Sequence, residues 1–431
     1  MNMCFTIAFM SRLSVKTWIS FILIGLSGQL AWSIENMYLN VYLYNEITPD
    51  SGAIATMVAA SAVTATLTTF FIGILSDRIG KRKIFISAGY ILWGFSTMAF
   101  GYVGAGPGSA AAAAAAVILL DCLMTFFGSC ANDAAFNAYV TDVTSPENRG
   151  KAEAVLATFP LISMLIIFGL FDSLTKTGNW KTFFAIFGVL NIGTGLISAF
   201  LLKDPEVRKS PEKNVLKGLL KLFSKEEIKE NSARYLDLAA ILLLSVSFQI
   251  FLPYLIIYIS EYLGYSDYAL MLGIVLLGAS FISVISGKVQ DRVGKSRVGA
   301  AGTLIMGTGL LLLFFVRSYL AVTLTALMMM AGYLVTASAT GANLRDTTPA
   351  ALTGSFQGVR MVASVAIPMI IGPWIGSMVI KGSGRTYTEL GVVKDIPTPF
   401  MFIPAALLML PLAAILIIRT KKEESFNASR S

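Results

Sequence analysis

The sequence predicts an all-α membrane protein with twelve transmembrane helices in two pseudo-symmetric six-helix halves. Three observations predict it. Hydrophobic residues make up 55% of the 431 and charged residues only 13%, too few charges to cover a water-soluble chain of this length. Mostly apolar runs of about eighteen residues or more recur throughout, each long enough to span about 30 Å of hydrocarbon as a helix. Finally, one charged, glycine-pinned stretch occurs twice, half the chain apart.

The runs predict spans over residues 17–46, 50–76, 84–104, 109–141, 151–174, 180–202, 235–263, 267–287, 298–316, 318–346, 353–380 and 399–419. They are continuous. A membrane β-barrel would instead alternate in segments of about ten residues. The longest polar segment falls between the sixth and seventh. Residues 1–202 therefore form an N-terminal bundle, 203–233 a cytoplasmic linker, and 234–431 a C-terminal bundle with a short tail. Within the linker, Leu216, Leu219, Leu220 and Phe223 fall on one helical stripe, the pattern of a helix lying on a membrane surface.

The net charge is +8, but its placement argues against nucleic acid as the partner. Lys176, Lys181, Arg317, Lys381, Arg385 and Lys394 fall in one set of connections, and Arg360 falls inside a span. The other 26 of the 33 Lys and Arg residues lie in the opposite set and the tails. This bias predicts cytoplasmic termini and a multi-pass protein of the cell membrane. Cys4, Cys122 and Cys130 make no disulfide framework. No cleavable leader is evident, and Met10 is an alternative start to Met1. The sequon Asn427-Ala428-Ser429 lies on the cytoplasmic side, where it is read as chance.

The repeated stretch reads GILSDRIGKRK from Gly73 and GKVQDRVGKSR from Gly287. Gly73, Asp77, Arg78, Gly80 and Lys81 return as Gly287, Asp291, Arg292, Gly294 and Lys295, while Arg82 is replaced by Ser296. The ends of the fourth and tenth spans also match, as Thr141-Asp142 through Pro146 and Arg345-Asp346 through Pro349. These loops resemble the signature of the major facilitator superfamily, and with twelve spans and a central linker the resemblance covers the chain. It implies alternating access, with a site between the halves near the midplane. It also implies that Asp77 and Asp291 act at a cytoplasmic gate, facing the starts of spans eleven and five, with Arg78, Lys81, Arg82, Arg292 and Lys295 as the basic partners; Arg360, about 10 Å into span eleven, is read as part of the gate or as a counter-ion. Glycines suit such a gate because they permit tight turns and close helix approach. A narrower resemblance joins the first span, GQLAWSIENMYLNVYLY, to the glycoside–pentoside–hexuronide and sucrose-type symporters.

Ionisable side chains cost several kcal/mol at the bilayer centre, so they usually face a cavity or a partner. Glu35 lies about 6 Å outward of the middle of the first span, and Asp121 lies at similar depth in the fourth. Gln29, Trp32, Glu35 and Asn36 form one stripe; Asp121, Thr125 and Asn132 form another, with Asp133 beside it and deeper. The seventh span offers Gln249, Tyr254 and Tyr258 around a kink at Pro253, and the tenth offers Tyr333. Amides and carboxylates suit hydroxyl groups, and flat rings suit the apolar face of a sugar. The chain has no histidine, so a coupled proton needs a carboxylate, and Na⁺ is the other candidate ion.

The expected function is proton- or cation-coupled symport of a small polar solute, a sugar or glycoside, by a monomer without cofactor or metal. The alternatives are a drug exporter and a solute sensor that moves nothing. The exporter pattern of span five is missing from ATFPLISMLIIFGLF. An enzyme is not expected, since no metal cluster or phosphate loop is present; Gly104 to Gly108 follows no strand.

Overall fold

The computed structural model describes residues 13–104, 110–144, 152, 155–156, 158–204, 224–348, 359–389 and 392–428. The side chains of Asp77, Glu226 and Asp291, and those of residues 387–389, 392, 394 and 423–428, are outside that description. So are Met1 to Arg12, the stripe from Leu216 to Phe223, Pro146, Arg149, Glu153, Pro349 and Ser429.

Among the described residues, twelve helices are long and apolar enough to cross a membrane. Spans one to six are Val15–Ile47, Ser51–Ser76, Arg82–Tyr102, Ala110–Val143, Phe159–Lys176 and Trp180–Leu201. Spans seven to twelve are Ser232–Tyr262, Tyr268–Gln290, Lys295–Phe315, Tyr319–Thr347, Val359–Gly382 and Pro399–Lys422. Apolar side chains such as Phe200, Val284 and Phe315 are left exposed on the spans, which suits a surface solvated by lipid rather than water. The chain divides into two compact units, Met1–Thr48 with Val63–Pro211 and Pro49–Ala62 with Glu212–Ser431.

In the first unit, span one begins at an N-cap, where Ser14 accepts from the Thr17 amide at 3.1 Å. Span three packs along span six through small residues. A Cβ added at Gly94 would lie 2.5 Å from the Gly188 carbonyl oxygen, so only glycine permits this approach. Hydroxyl pairs pin neighbouring helices: Ser87–Ser198 at 2.9 Å joins spans three and six, Ser27–Thr194 at 2.8 Å spans one and six, and Ser33–Ser163 at 2.8 Å spans one and five. Beside them Tyr42 meets Trp180 and Phe184 edge to face, as Phe183 meets Phe187, while Tyr38 lies tilted on Phe183 and Trp180 stacks on Phe184.

In the second unit, span nine packs on span ten, where Gly302 and Gly332 leave no room for a side chain. Spans seven, eleven and twelve pack together. Span seven passes through a single 3₁₀ turn at Leu252–Tyr254, because Pro253 has no amide to continue the α-helical ladder. Near the other end, Asp237 is fully buried and accepts from the Arg419 guanidinium at 3.1 Å, while Arg234 pairs with Glu227 at 3.1 Å. Between spans eleven and twelve lies a feature the apolar pattern did not predict, an antiparallel hairpin of β1 (Thr386–Glu389) and β2 (Val392–Asp395).

The segment Pro49–Ala62, assigned from sequence to the N-terminal bundle, groups with the second unit. Ser51 pairs with Ser377 at 3.0 Å, its carbonyl accepts from the Tyr254 hydroxyl at 3.1 Å, and Asp50 pairs with Lys381 at 2.7 Å. Burial pushes the Asp50 carboxyl up, but hydrogen bonds from Lys381 and the Gly52 amide, together with the Lys381 charge, outweigh it and hold it below its ordinary value. Asp395 goes the other way: burial raises it, the Lys381 charge offsets part of this, and the Asp50 charge adds to it.

Gly94→Ala is expected to lower the thermal unfolding midpoint in detergent, at a cost of about 1–3 kcal/mol from the forced helix shift. Gly73→Ala, where a Cβ would meet nothing within 4 Å, is expected to leave it unchanged or raise it. Equal losses in both would show that crowding at Gly94 is not what fixes the crossing. Because the Asp50 carboxyl is depressed, its contribution is present at neutral pH and fades as pH falls below about 4. Asp50→Asn is therefore expected to cost at most about 1 kcal/mol at pH 7, the pair being half exposed, and nothing once wild-type Asp50 is protonated.

Candidate functional site

Several helices depart from α geometry where the candidate residues lie. Span one has π turns at Ile34–Tyr38 and Leu43–Ile47, span four at Ser129–Phe136, span seven at Tyr258–Tyr262 and span eleven at Val362–Ala366. A π turn adds a residue and rotates everything beyond it, a feature common at functional sites. Glu35, Asn36, Asn132, Asp133 and Tyr258 all sit inside such turns.

The first unit holds a buried carboxylate cluster. Glu35 is 7% exposed, and its Oε1 accepts from the Thr125 hydroxyl at 2.8 Å. Its Oε2 is buried with no hydrogen-bond partner among the described residues. Asp121, 1% exposed, and Asp133 are near enough for their charges to act on Glu35. Among the described residues no lysine or arginine pairs with Glu35. Ser129 donates to Asp133 Oδ2 at 3.1 Å. Gln29, Trp32 and Asn36 lie half-buried on one face of span one, with the Asn36 amide tied to the Trp32 carbonyl at 2.8 Å.

Asn132 does not share the Asp121–Thr125 surroundings that straight-helix spacing predicts. Its amide donates to the Tyr90 hydroxyl at 2.7 Å, and Tyr90 donates to the Ile24 carbonyl at 2.6 Å. The pair nests against Gly28, where an added Cβ would lie 1.9 Å from Asn132 Nδ2. The π turn at Ser129–Phe136 accounts for the change of direction.

Span three supplies residues that the sequence reading passed over. Trp93 lies 4.9 Å, centroid to centroid, from Trp32, and its buried Nε1 has no partner among the described residues. Both indoles press on Gly128, where an added Cβ would come within 3.0 Å of each. A tyrosine and a tryptophan at mid-span were the available signal, because their polar tips normally sit at the membrane interface.

The second unit brings rings together. Phe248 and Tyr333 stack at 4.2 Å and 17°, joining spans seven and ten, and Phe248 was absent from the expected set. Gln249 is half-buried beside them, with its backbone hard against Gly372. Tyr254 is corrected to a packing role: it is fully buried, and its hydroxyl is spent on the Ser51 and Pro373 carbonyls at 3.1 and 2.8 Å. Tyr258 is 1% exposed, stacks on Tyr262, and keeps a hydroxyl without a partner among the described residues.

The two repeated loops are built alike. Gly80 and Gly294 close spans two and eight at φ 70° and 103°, a conformation that favours glycine. Arg82 donates to Asp142 at 3.1 Å, tying span three to the end of span four. Lys295 pairs with Asp346 at the end of span ten, and Ser296, in the place of Arg82, accepts from Asn343 at 2.8 Å. Arg78, Lys81 and Arg292 are exposed. Gly73 and Gly287 do not serve close packing, since an added Cβ at either would meet nothing within 4 Å. Half-buried Arg360 feels the like charge of Arg345, and among the described residues it has no acidic partner.

Solved structures of the same fold include the nucleoside transporter NupG at 13% identity. That match covers 95% of this chain and 100% of the other, with a TM-score of 0.71. A D-xylose-proton symporter matches at 15% identity over 92% of this chain and 97% of the other, with a TM-score of 0.72. Monosaccharide-sensing protein 3 of Arabidopsis thaliana is 27% identical over 170 residues, which is 38% of this chain and 20% of that relative. At these identities the likenesses show the fold, one of twelve membrane-crossing helices. The sequence profile of the Major Facilitator Superfamily matches residues 17–269 and 238–431, and the chain belongs to that family.

Proposed function

We propose that this transporter moves a small polyhydroxylated solute, a sugar or glycoside, across the cell membrane with both termini cytoplasmic, by symport with a proton carried on Glu35. It works as a monomer without a cofactor. One observation carries the reading: Glu35 lies inside the membrane with one oxygen held by Thr125, the other unpartnered, and two aspartates close by. An ionised Glu35 there needs a cation, and a protonated one can donate from Oε2 to an acceptor on the solute. Proton and solute thus each favour the presence of the other. Once the site is neutral, the barrier to exchanging its exposure between the two sides falls. Trp32, in the same unit as Glu35, offers a ring face to the apolar side of a sugar. The carbohydrate named for the D-xylose-proton symporter and the narrower glycoside–pentoside–hexuronide resemblance support the same class.

A second reading is a sensor that binds a solute without moving it, favoured by the name of the Arabidopsis relative, of which this chain matches one fifth.

Protein in liposomes with a trapped pH-sensitive dye is expected to acidify the lumen when a monosaccharide or disaccharide from a panel is added, with Na⁺ making no difference. Glu35→Gln is expected to abolish acidification while solute binding persists. Binding without any flux in wild type would favour the sensor, and flux that requires Na⁺ would replace the proton. Thr125→Val removes one hydrogen bond to the carboxylate, worth about 1.5 kcal/mol. It is expected to reduce the acidification rate about tenfold and to shift its pH profile, and an unchanged profile would remove Thr125 from the coupling site.

A further inference from the structure

The carboxylate cluster leaves unused a cleft at the other end of the second unit, away from the Gly287 loop. The cleft has a volume of 560 Å³ and is lined by Glu261, Tyr262, Tyr265, Arg317, Arg385 and Ile396 among others. These residues come from the end of span seven, the turn before span ten, the start of the hairpin and the approach to span twelve. Two cations share one ring: the Arg317 guanidinium lies 5.5 Å and that of Arg385 5.9 Å from the Tyr262 centroid. The ring quadrupole attracts each of them, while their mutual repulsion favours an anion between them.

The backbone of the cleft is pinned. The Tyr265 hydroxyl donates to the Arg317 carbonyl at 2.8 Å, and the Ile396 amide donates to the Arg385 carbonyl at 3.0 Å. Arg317 uses only Nη1, on the Phe314 and Val316 carbonyls at 2.8 and 2.6 Å. Among the described residues neither arginine has a carboxylate partner, and the Arg385 head makes no hydrogen bond. Each guanidinium is a planar fork of N–H donors suited to carboxylate or phosphate. Two arginines against the single carboxylate of Glu261 make the lining of the cleft net positive. Behind Tyr262, 5.3 Å away and near parallel at 15°, stands Tyr258 with its buried, unpartnered hydroxyl.

We propose that this cleft binds an oxyanion, a carboxylate or a phosphate, held between Arg317 and Arg385 over the face of Tyr262. Its source is either a soluble solute or the headgroup of a phospholipid at the membrane interface. The test uses the full chain in dodecyl maltoside, with calorimetric titration of inorganic phosphate and of glucuronate, and native mass spectrometry of retained phospholipid. Arg385→Gln is the first variant, because the head of that exposed side chain makes no hydrogen bond or ion pair among the described residues, and Arg317→Gln with Arg385→Gln is the second. Phosphate or glucuronate bound by wild type and weakened tenfold or more by Arg385→Gln, at an unchanged unfolding midpoint, would assign the soluble source. One phospholipid retained by wild type and lost in Arg385→Gln would assign the lipid. Absence of both kinds of binding from wild type, or equal binding by wild type and both variants, would overturn the proposal.

Discussion

Everything in this protein follows from a solvent that cannot hydrogen-bond. Hydrocarbon satisfies no backbone amide or carbonyl, so each crossing closes its own ladder and the chain becomes twelve helices. Hydrocarbon also gives helices little reason to associate by burying apolar surface. Packing therefore rests on glycine contacts such as Gly94–Gly188 and Gly302–Gly332, and on hydroxyl pairs such as Ser87–Ser198. Under the same constraint a carboxylate with an unpartnered oxygen is exceptional, and Glu35 is one.

The helix ends obey a different rule, since there water and headgroups return. Ion pairs concentrate at these ends: Arg82 with Asp142, Lys295 with Asp346, Arg419 with Asp237 and Lys381 with Asp50. Two of them sit at matching places in the repeated loops and clamp a helix start to the end of a neighbouring helix. The second loop keeps this with lysine one position earlier, while Ser296 turns to Asn343. The repeat thus preserves a contact more faithfully than a residue.

Much of the fold was legible because length and apolarity are properties of whole segments. All twelve spans stand within a few residues of their predicted places where the structure describes them; the predicted starts of spans five and eleven, at residues 151 and 353, lie outside the described residues. Family membership was legible from Gly73 to Lys83 and its echo. The site was less so. Glu35 and Asp121 stood out because charge inside an apolar run is conspicuous, and Thr125, placed on the Asp121 face, is the residue that donates to Glu35. Asn132 and Tyr254 were misassigned because face arguments assume an even 100° per residue, and both lie where the helix departs from it. Trp93 and Phe248 were missed because an aromatic residue in an apolar run looks like any other core residue. The hairpin Thr386–Asp395 was missed because short strands leave no hydropathy signal.

The wide turns in spans one, four, seven and eleven also bear on how this chain is aligned with its relatives. A helix with one wide turn spends an extra residue to cover the same depth. Matching span one to a straight helix from its start would place the residues between Ile34 and the second wide turn at Leu43 one position too deep. Glu35 stands at the first step of that offset. Equivalence between this carboxylate and those of other transporters is therefore a matter of three-dimensional position, and a gap inside a helix, ordinarily a sign of misalignment, is here the correct correspondence.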